Sequence, residues 1–149
     1  MKVKFLISIC VLLILSACTK DQFTTKPQLT FKSVSTNVLP IDQSIIFSID
    51  YTDKEGDIQD SLVVIKKTFN CIMDSFTVFY PMPTDIPTQS NSQGEIQVRY
   101  SHGINLQYPD IGDPQCPDND TCVFKFVLSD KAGNISDTAY SPQIVIIKR

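Results

Sequence analysis

Regular alternation of apolar and polar side chains is the strongest signal in this chain, and it predicts β-strands. Ile45, Phe47, Ile49 and Tyr51 form one apolar row, and the residues between them are mostly polar. Similar rows occur at alternate positions over 96–100 and 122–128. Because successive side chains of a strand point to opposite faces, each row predicts a strand with one buried face.

Four further segments are consistent with strands, which brings the total to seven. Glycines lie outside all seven, as turn residues should, and no segment after residue 17 has sustained helical spacing. Seven short strands in about 120 residues predict an all-β fold, an antiparallel two-sheet Ig-like β-sandwich over 28–149. The four further segments are 28–36, 61–69, 75–80 and 138–147.

The first 17 residues have the features of an export signal. Two lysines precede an apolar run over 5–15, which is about half the length needed to span a bilayer as a helix. The run ends in Leu15-Ser16-Ala17-Cys18, which resembles the lipobox of bacterial lipoproteins. The resemblance implies that Cys18 becomes the lipidated first residue and that 18–27 form a tether. The alternative is an ordinary secretory leader that leaves Cys18 as a spare thiol.

Composition narrows the possible functions. The chain has 149 residues, 42% hydrophobic and 19% charged, which is typical of a globular domain. With 13 basic and 16 acidic residues the chain has a net negative charge, which disfavours binding to the phosphates of a nucleic acid. No sequence motif of a nucleophile or a general base is recognisable, and His102, the single histidine, is expected in an exposed loop. We therefore expect a protein that is not an enzyme.

Two acidic turns are expected at the same end of the sandwich, one over 53–60 and the other over 130–137. The second contains Asp130-Lys131-Ala132-Gly133-Asn134. With the lipobox, this pair of turns resembles that of small Bacteroidota outer-membrane lipoproteins with a single Ig-like domain. The resemblance implies the fold and an outer-membrane location, and it leaves the periplasmic and the cell-surface face both open.

These turns also contain the strongest candidate for a functional site, which is a metal-binding site. Their side chains offer hard oxygen ligands of the kind that Ca²⁺ binds, although their spacing is not that of an EF-hand. The interpretation we prefer is turn chemistry without a cofactor, in which short carboxylates accept hydrogen bonds from backbone N–H groups nearby, and a calcium site is the alternative. The candidate ligands are Asp53, Glu55, Asp57, Asp60 and Asp130.

Three cysteines follow Cys18, and in an oxidising compartment they predict one disulfide and one spare thiol. Cys116 and Cys122 are close in sequence, and we prefer this pair. Cys71 is the alternative partner for either of them, because it is expected at the same end of the sandwich.

The expected function is that of a membrane-anchored binding or scaffolding module of the cell envelope. Its partners would be the membrane, through the lipid, and an envelope protein or a glycan. The alternative is a glycan- or calcium-dependent surface adhesion module. Four tyrosines, Tyr80, Tyr100, Tyr108 and Tyr140, could stack on sugars, but tyrosine is equally an ordinary strand residue.

Overall fold

The computed structural model describes residues 23–103 and 107–149, which contain nine β-strands and one short 3₁₀ helix. The predicted export signal over 1–17, Cys18 and the first part of the predicted tether lie outside the described residues. The elements are β1 (Gln28–Val34), β2 (Val38–Leu39), β3 (Gln43–Asp53), β4 (Ser61–Thr68), the 3₁₀ helix (Ile72–Asp74), β5 (Phe76–Pro81), β6 (Ser92–His102), β7 (Asp120–Ser129), β8 (Ala139–Tyr140) and β9 (Ile144–Ile146).

The strands form two sheets, which confirms the predicted all-β sandwich. One sheet has the order β1-β3-β6, and the other has the order β2-β9-β7-β4-β5 with β8 beside β7. The strand β5 pairs with β4 and not with β6, so it lies at the edge of the larger sheet.

Two details differ from the sequence-based prediction. The strand Val38–Leu39 was not predicted; it pairs with β9 in parallel, whereas the other strand pairs are antiparallel. The segment predicted as one strand over 138–147 is divided into β8 and β9. Pro142 lies in the gap, and because proline has no N–H to donate, it interrupts the ladder there.

The core lies between the sheets and contains the apolar rows that the alternation indicated. Ile45, Phe47 and Ile49 of β3 are fully buried, and so are alternate residues of β7 from Cys122 to Leu128. The rings of Phe47 and Phe124 join the two sheets, with centroids 4.6 Å apart. Burying a side chain of this size stabilises the fold by about 1.5–3 kcal/mol.

The disulfide joins Cys71 to Cys116, so the preferred pairing of Cys116 with Cys122 was wrong. The Cα atoms of Cys71 and Cys116 are 5.3 Å apart, within the usual range for a bridge. Cys122 is a free thiol because its position in the β7 alternation directs it into the core, where it is fully buried. Burial raises the pKa of this thiol to about 12.

Within the described residues, no helix is long and apolar enough to cross a membrane.

Candidate metal centre

Asp53 is the last residue of β3, and the alternation along that strand turns its side chain inward. It is completely buried. One carboxylate oxygen, Oδ2, accepts the N–H groups of Gly56 at 2.6 Å and Asp57 at 3.1 Å, and so closes the turn after the strand. The other oxygen, Oδ1, is buried and has no hydrogen-bond partner in the described part of the chain. A buried carboxylate oxygen without a partner is costly, which makes it a candidate ligand atom.

Gly56 lets the chain turn tightly around Asp53. Its φ is +73°, a left-handed conformation that residues with a side chain rarely adopt. A Cβ atom there would lie 2.1 Å from the carbonyl oxygen of Gln89, in the loop between β5 and β6. This close approach fixes the turn against its neighbouring loop and holds Asp57 near Asp53.

Asp57 and Asp130 complete a cluster of three carboxylates drawn from two loops. Asp130 is buried and accepts the backbone N–H and the side-chain N–H of Asn134, at 2.7 and 2.8 Å. Asp57 is half-buried, and its Oδ1 has no partner among the described residues. The backbone N–H of Lys131 donates to the carbonyl of Asp57 at 2.9 Å and ties the two loops together.

The geometry of the cluster fits a single cation. One carboxylate oxygen from each of Asp53, Asp57 and Asp130 lies within 4.8 Å of the other two. Two oxygens that share a calcium ion at about 2.4 Å are at most about 4.8 Å apart, so the separation is compatible with common coordination. Without a cation, ionised carboxylates held this close repel one another.

The surroundings of Asp53 disfavour the ionised form of its carboxyl group. Burial raises the pKa of this carboxyl, and the two N–H groups on Oδ2 act in the opposite direction. The nearby charges of Asp57 and Glu55 raise the pKa further. A cation bound to Oδ1 would stabilise the ionised form and lower this pKa.

Two of the five predicted ligands lie outside the cluster. Glu55 is exposed and accepts a hydrogen bond from Thr25 Oγ1 at 3.3 Å. Asp60 is exposed and accepts one from Ser61 Oγ at 3.0 Å. Both carboxylates face solvent, where water stabilises the charge without a metal ion.

Two polar residues that the sequence analysis did not single out have buried oxygens without partners in this region. Ser92 stands opposite Asp53 in the pairing of β3 with β6, and its hydroxyl has no partner in the described chain. The Oε1 atom of Gln59, two residues after Asp57, is likewise buried and unpartnered. Ser92 could have been found only from the register of β6 against β3, because no short-range sequence pattern gives that register.

His102 was predicted in an exposed loop, and this was wrong. It ends β6 opposite Gln43 and is almost completely buried. Its Nε2 atom lies 3.5 Å from Asp113 Oδ1, and within the described chain neither ring nitrogen has a hydrogen bond. The residue belongs to the packing at the end of the strand that is remote from the acidic cluster.

The tyrosines do not form one stacking surface. Tyr100 is buried in the core, where its ring contacts Phe124 and its hydroxyl accepts a hydrogen bond from the hydroxyl of Tyr80 at 3.0 Å. Tyr108 lies under Arg99 on the outer side of the three-stranded sheet. Tyr140 lies beside Lys125 on the outer side of the other sheet.

No protein-family model matches the chain. No curated protein matches it either. Among solved structures, it is similar to the alkylpurine DNA glycosylase AlkC of Pseudomonas fluorescens bound to DNA containing an abasic site analog, with a TM-score of 0.48 and 9% identity over 91% of this chain. It is also similar to the sporulation control protein Spo0M of Bacillus subtilis, with a TM-score of 0.46 and 7% identity over 85% of this chain.

A third similar structure is a CARDB domain from Pyrococcus furiosus in complex with di-metal ions, with a TM-score of 0.30 and 10% identity over 85% of this chain and 98% of that one. The chain spans 33% of the AlkC chain and 51% of the Spo0M chain. Similarities with identities and TM-scores this low give no information about what this chain binds.

Proposed function

We propose that this chain is a non-enzymatic binding or scaffolding module of the cell envelope, anchored through a lipid on Cys18, which binds a calcium ion at the acidic end of its sandwich. The observation that carries the calcium site is the buried Oδ1 atom of Asp53. It has no partner in the described chain, and it belongs to a residue clustered with Asp57 and Asp130.

Calcium suits this cluster better than other common cations. Its donors are carboxylate oxygens, which hard cations prefer, and the cluster contains no histidine or cysteine. Calcium takes six to eight oxygens in flexible geometry, so waters and nearby carbonyls or side-chain oxygens such as those of Ser92 and Gln59 would complete the shell. Magnesium requires stricter octahedral geometry and is expected to bind more weakly.

The anchor rests on the sequence. The short apolar run over 5–15 followed by Leu15-Ser16-Ala17-Cys18 is typical of lipoproteins, and an anchor of two or more acyl chains is effectively stable. The expected location is the outer membrane. The partners would therefore be molecules of the envelope, either a protein or a glycan.

Between the two kinds of partner, the described contacts favour a protein or the membrane surface over a stacked sugar. Tyr100 is in the core, and Tyr108 and Tyr140 lie on opposite outer faces, so these three tyrosines do not form a stacking platform. Calcium-dependent adhesion is the variant of the function that the acidic cluster favours.

Thermal unfolding of the membrane-extracted protein, with calcium and with a chelator, tests the cation site. A ligand that binds only the folded state stabilises it by about 2.7 kcal/mol at 100 times its Kd, so millimolar calcium should raise the Tm. The substitution Asp53→Asn should abolish that rise, because the amide oxygen would stay with the N–H groups of Gly56 and Asp57, and an NH₂ group, which cannot bind a cation, would replace Oδ1.

Asp60→Asn is the matched control. It removes the same charge from the same loop, at a residue that points to solvent outside the cluster. This variant should keep the full response to calcium. A Tm that does not change between calcium and chelator in the wild type, or that responds equally in Asp53→Asn, contradicts the proposed site.

A further inference from the structure

The tether enters the domain at the same end as the acidic cluster. The strand β1 begins beside the end of β3, with Gln28 opposite Thr52, so the preceding residues run over the loops that follow β3 and β7. From Cys18 to Phe23 an extended chain covers at most about 18 Å. In a lipid-anchored protein, this end of the sandwich would therefore face the membrane.

Three consecutive tether residues bind the two loops that supply the carboxylates. The carbonyl of Thr24 accepts the N–H of Lys54 at 3.2 Å. Thr25 donates to Glu55 at 3.3 Å, and its carbonyl accepts the side-chain N–H of Asn134 at 3.4 Å. The ammonium group of Lys26 pairs with Asp137 at 2.6 Å. We call residues 24–26 the docked tether.

The docking partners are the immediate neighbours of the proposed ligands. Lys54 and Glu55 lie between Asp53 and Asp57 in the first loop. Asn134 connects the tether directly to a proposed ligand. Its side-chain amide donates to Asp130 Oδ2 at 2.8 Å and to the carbonyl of Thr25. Any change in the positions of the carboxylates therefore moves the groups that hold the tether.

From these contacts we infer that calcium at the Asp53, Asp57 and Asp130 cluster fixes the docked tether against the sandwich. This inference rests on the proposed calcium site. Without the cation, repulsion among three carboxylates pushes the two loops apart and weakens the contacts of residues 24–26. With the cation, the loops are held together and the tether stays docked.

Thermodynamic linkage makes the coupling reciprocal. If calcium stabilises the docked tether by a given factor, then the docked tether raises calcium affinity by the same factor. Weakening the tether contacts must therefore weaken calcium binding, even though residues 24–26 contribute no carboxylate to the cluster. A purely local metal site would not lose affinity in this way, because removing the positive charge of Lys26 by itself favours a bound cation.

The experiment uses the full lipidated chain in phospholipid vesicles, with calcium chloride as the only added ligand. Amide hydrogen exchange of the peptides covering 23–27 and 53–57 should slow by roughly five-fold or more when calcium is added. The double variant Thr25→Ala, Lys26→Gln removes two side-chain contacts of the docked tether, and its calcium Kd should rise by about three- to ten-fold.

Lys67→Gln is the charge-matched control, since Lys67 is exposed near the end of β4 that is remote from the cluster. Its calcium Kd should equal that of the wild type. If calcium binds but the 23–27 peptide exchanges at the same rate, and the double variant binds as tightly as the wild type, the coupling is overturned while the metal site stands. If calcium does not bind the wild type, both proposals are overturned.

Discussion

The two carboxylate oxygens of Asp53 have different roles. Oδ2 accepts two backbone N–H groups and shapes the turn, as turn chemistry predicts for a short acidic side chain. Oδ1 is buried, has no partner within the described residues and faces the charges of its neighbours. The structural and the metal-binding interpretations of this residue are thus compatible, because each one uses a different oxygen.

The raised pKa of Asp53 predicts how its stability effect depends on pH. A folded-state pKa above the ordinary value of 3.8 means that the folded protein holds this proton more tightly than the unfolded chain. The contribution of Asp53 to stability is therefore lost as pH rises from 3.8 through the raised value. At neutral pH, without a cation, the ionised Asp53 destabilises the fold.

Asp53→Asn should accordingly be more stable than the wild type in chelator at pH 7, by about 1 kcal/mol or about 4 °C in Tm. The asparagine keeps an oxygen for the N–H groups of Gly56 and Asp57, and it removes the unpaired charge. The gain should shrink as the pH approaches 4, and in calcium the order of the two proteins should reverse. A variant less stable than the wild type in chelator at pH 7 contradicts this account of Asp53.

At the scale of elements, the disulfide fastens the end of the sandwich that is remote from the acidic cluster. It joins Cys71, just after β4, to Cys116 in the segment before β7, across a sequence separation of 45 residues. A cross-link over a loop of this length stabilises a fold by up to about 4 kcal/mol in the chain-entropy account. Cys122 contributes through packing, because its thiol is buried and protonated at neutral pH.

Cys116→Ser should lower the free energy of unfolding by about 2–4 kcal/mol and should leave the calcium response unchanged, since the bridge lies at the other end. Cys122→Ala is the comparison: it should keep the bridge and cost about 1 kcal/mol as a small core truncation. Peptide mapping without reduction would locate the bridge, and a crosslink to Cys122 in the wild type would contradict the pairing.

Element prediction succeeded where short-range periodicity decides the structure. The inward rows of β3 and β7 could be read from alternation alone, because each of these strands has one face in the core. The two-residue strand β2 is too short to show a period, and its parallel pairing with β9 depends on the whole fold. The disulfide also depended on side-chain direction, since Cys122 is close to Cys116 in sequence but points into the core.

The acidic site could be predicted only in part for the same reason. The sequence placed five acidic residues in two loops at one end, but strand phase and loop conformation decide which of them turn inward. Asp53, Asp57 and Asp130 converge, whereas Glu55 and Asp60 face solvent. Ser92 joins the region only through the register of β6 against β3, which no local pattern contains.

In the whole molecule, tether residues 24–26 and the proposed cation site lie at one end of the sandwich, and the disulfide lies at the other. The end near the membrane would then be stabilised by calcium and the far end by a covalent bridge. The sheets between them have exposed outer faces on which an envelope partner could dock. We propose that the mature chain is tied to the membrane at Cys18 and carries calcium beside its tether.

Native mass spectrometry of the protein extracted from membranes in calcium-containing detergent tests both parts of that claim in one spectrum. We expect a chain that begins at Cys18 with a covalent lipid and one bound calcium ion, and we expect Asp53→Asn to lose the ion but not the lipid. A mature chain without lipid on Cys18 would rule out the proposed anchor, and a wild-type spectrum without calcium would rule out the proposed cation site.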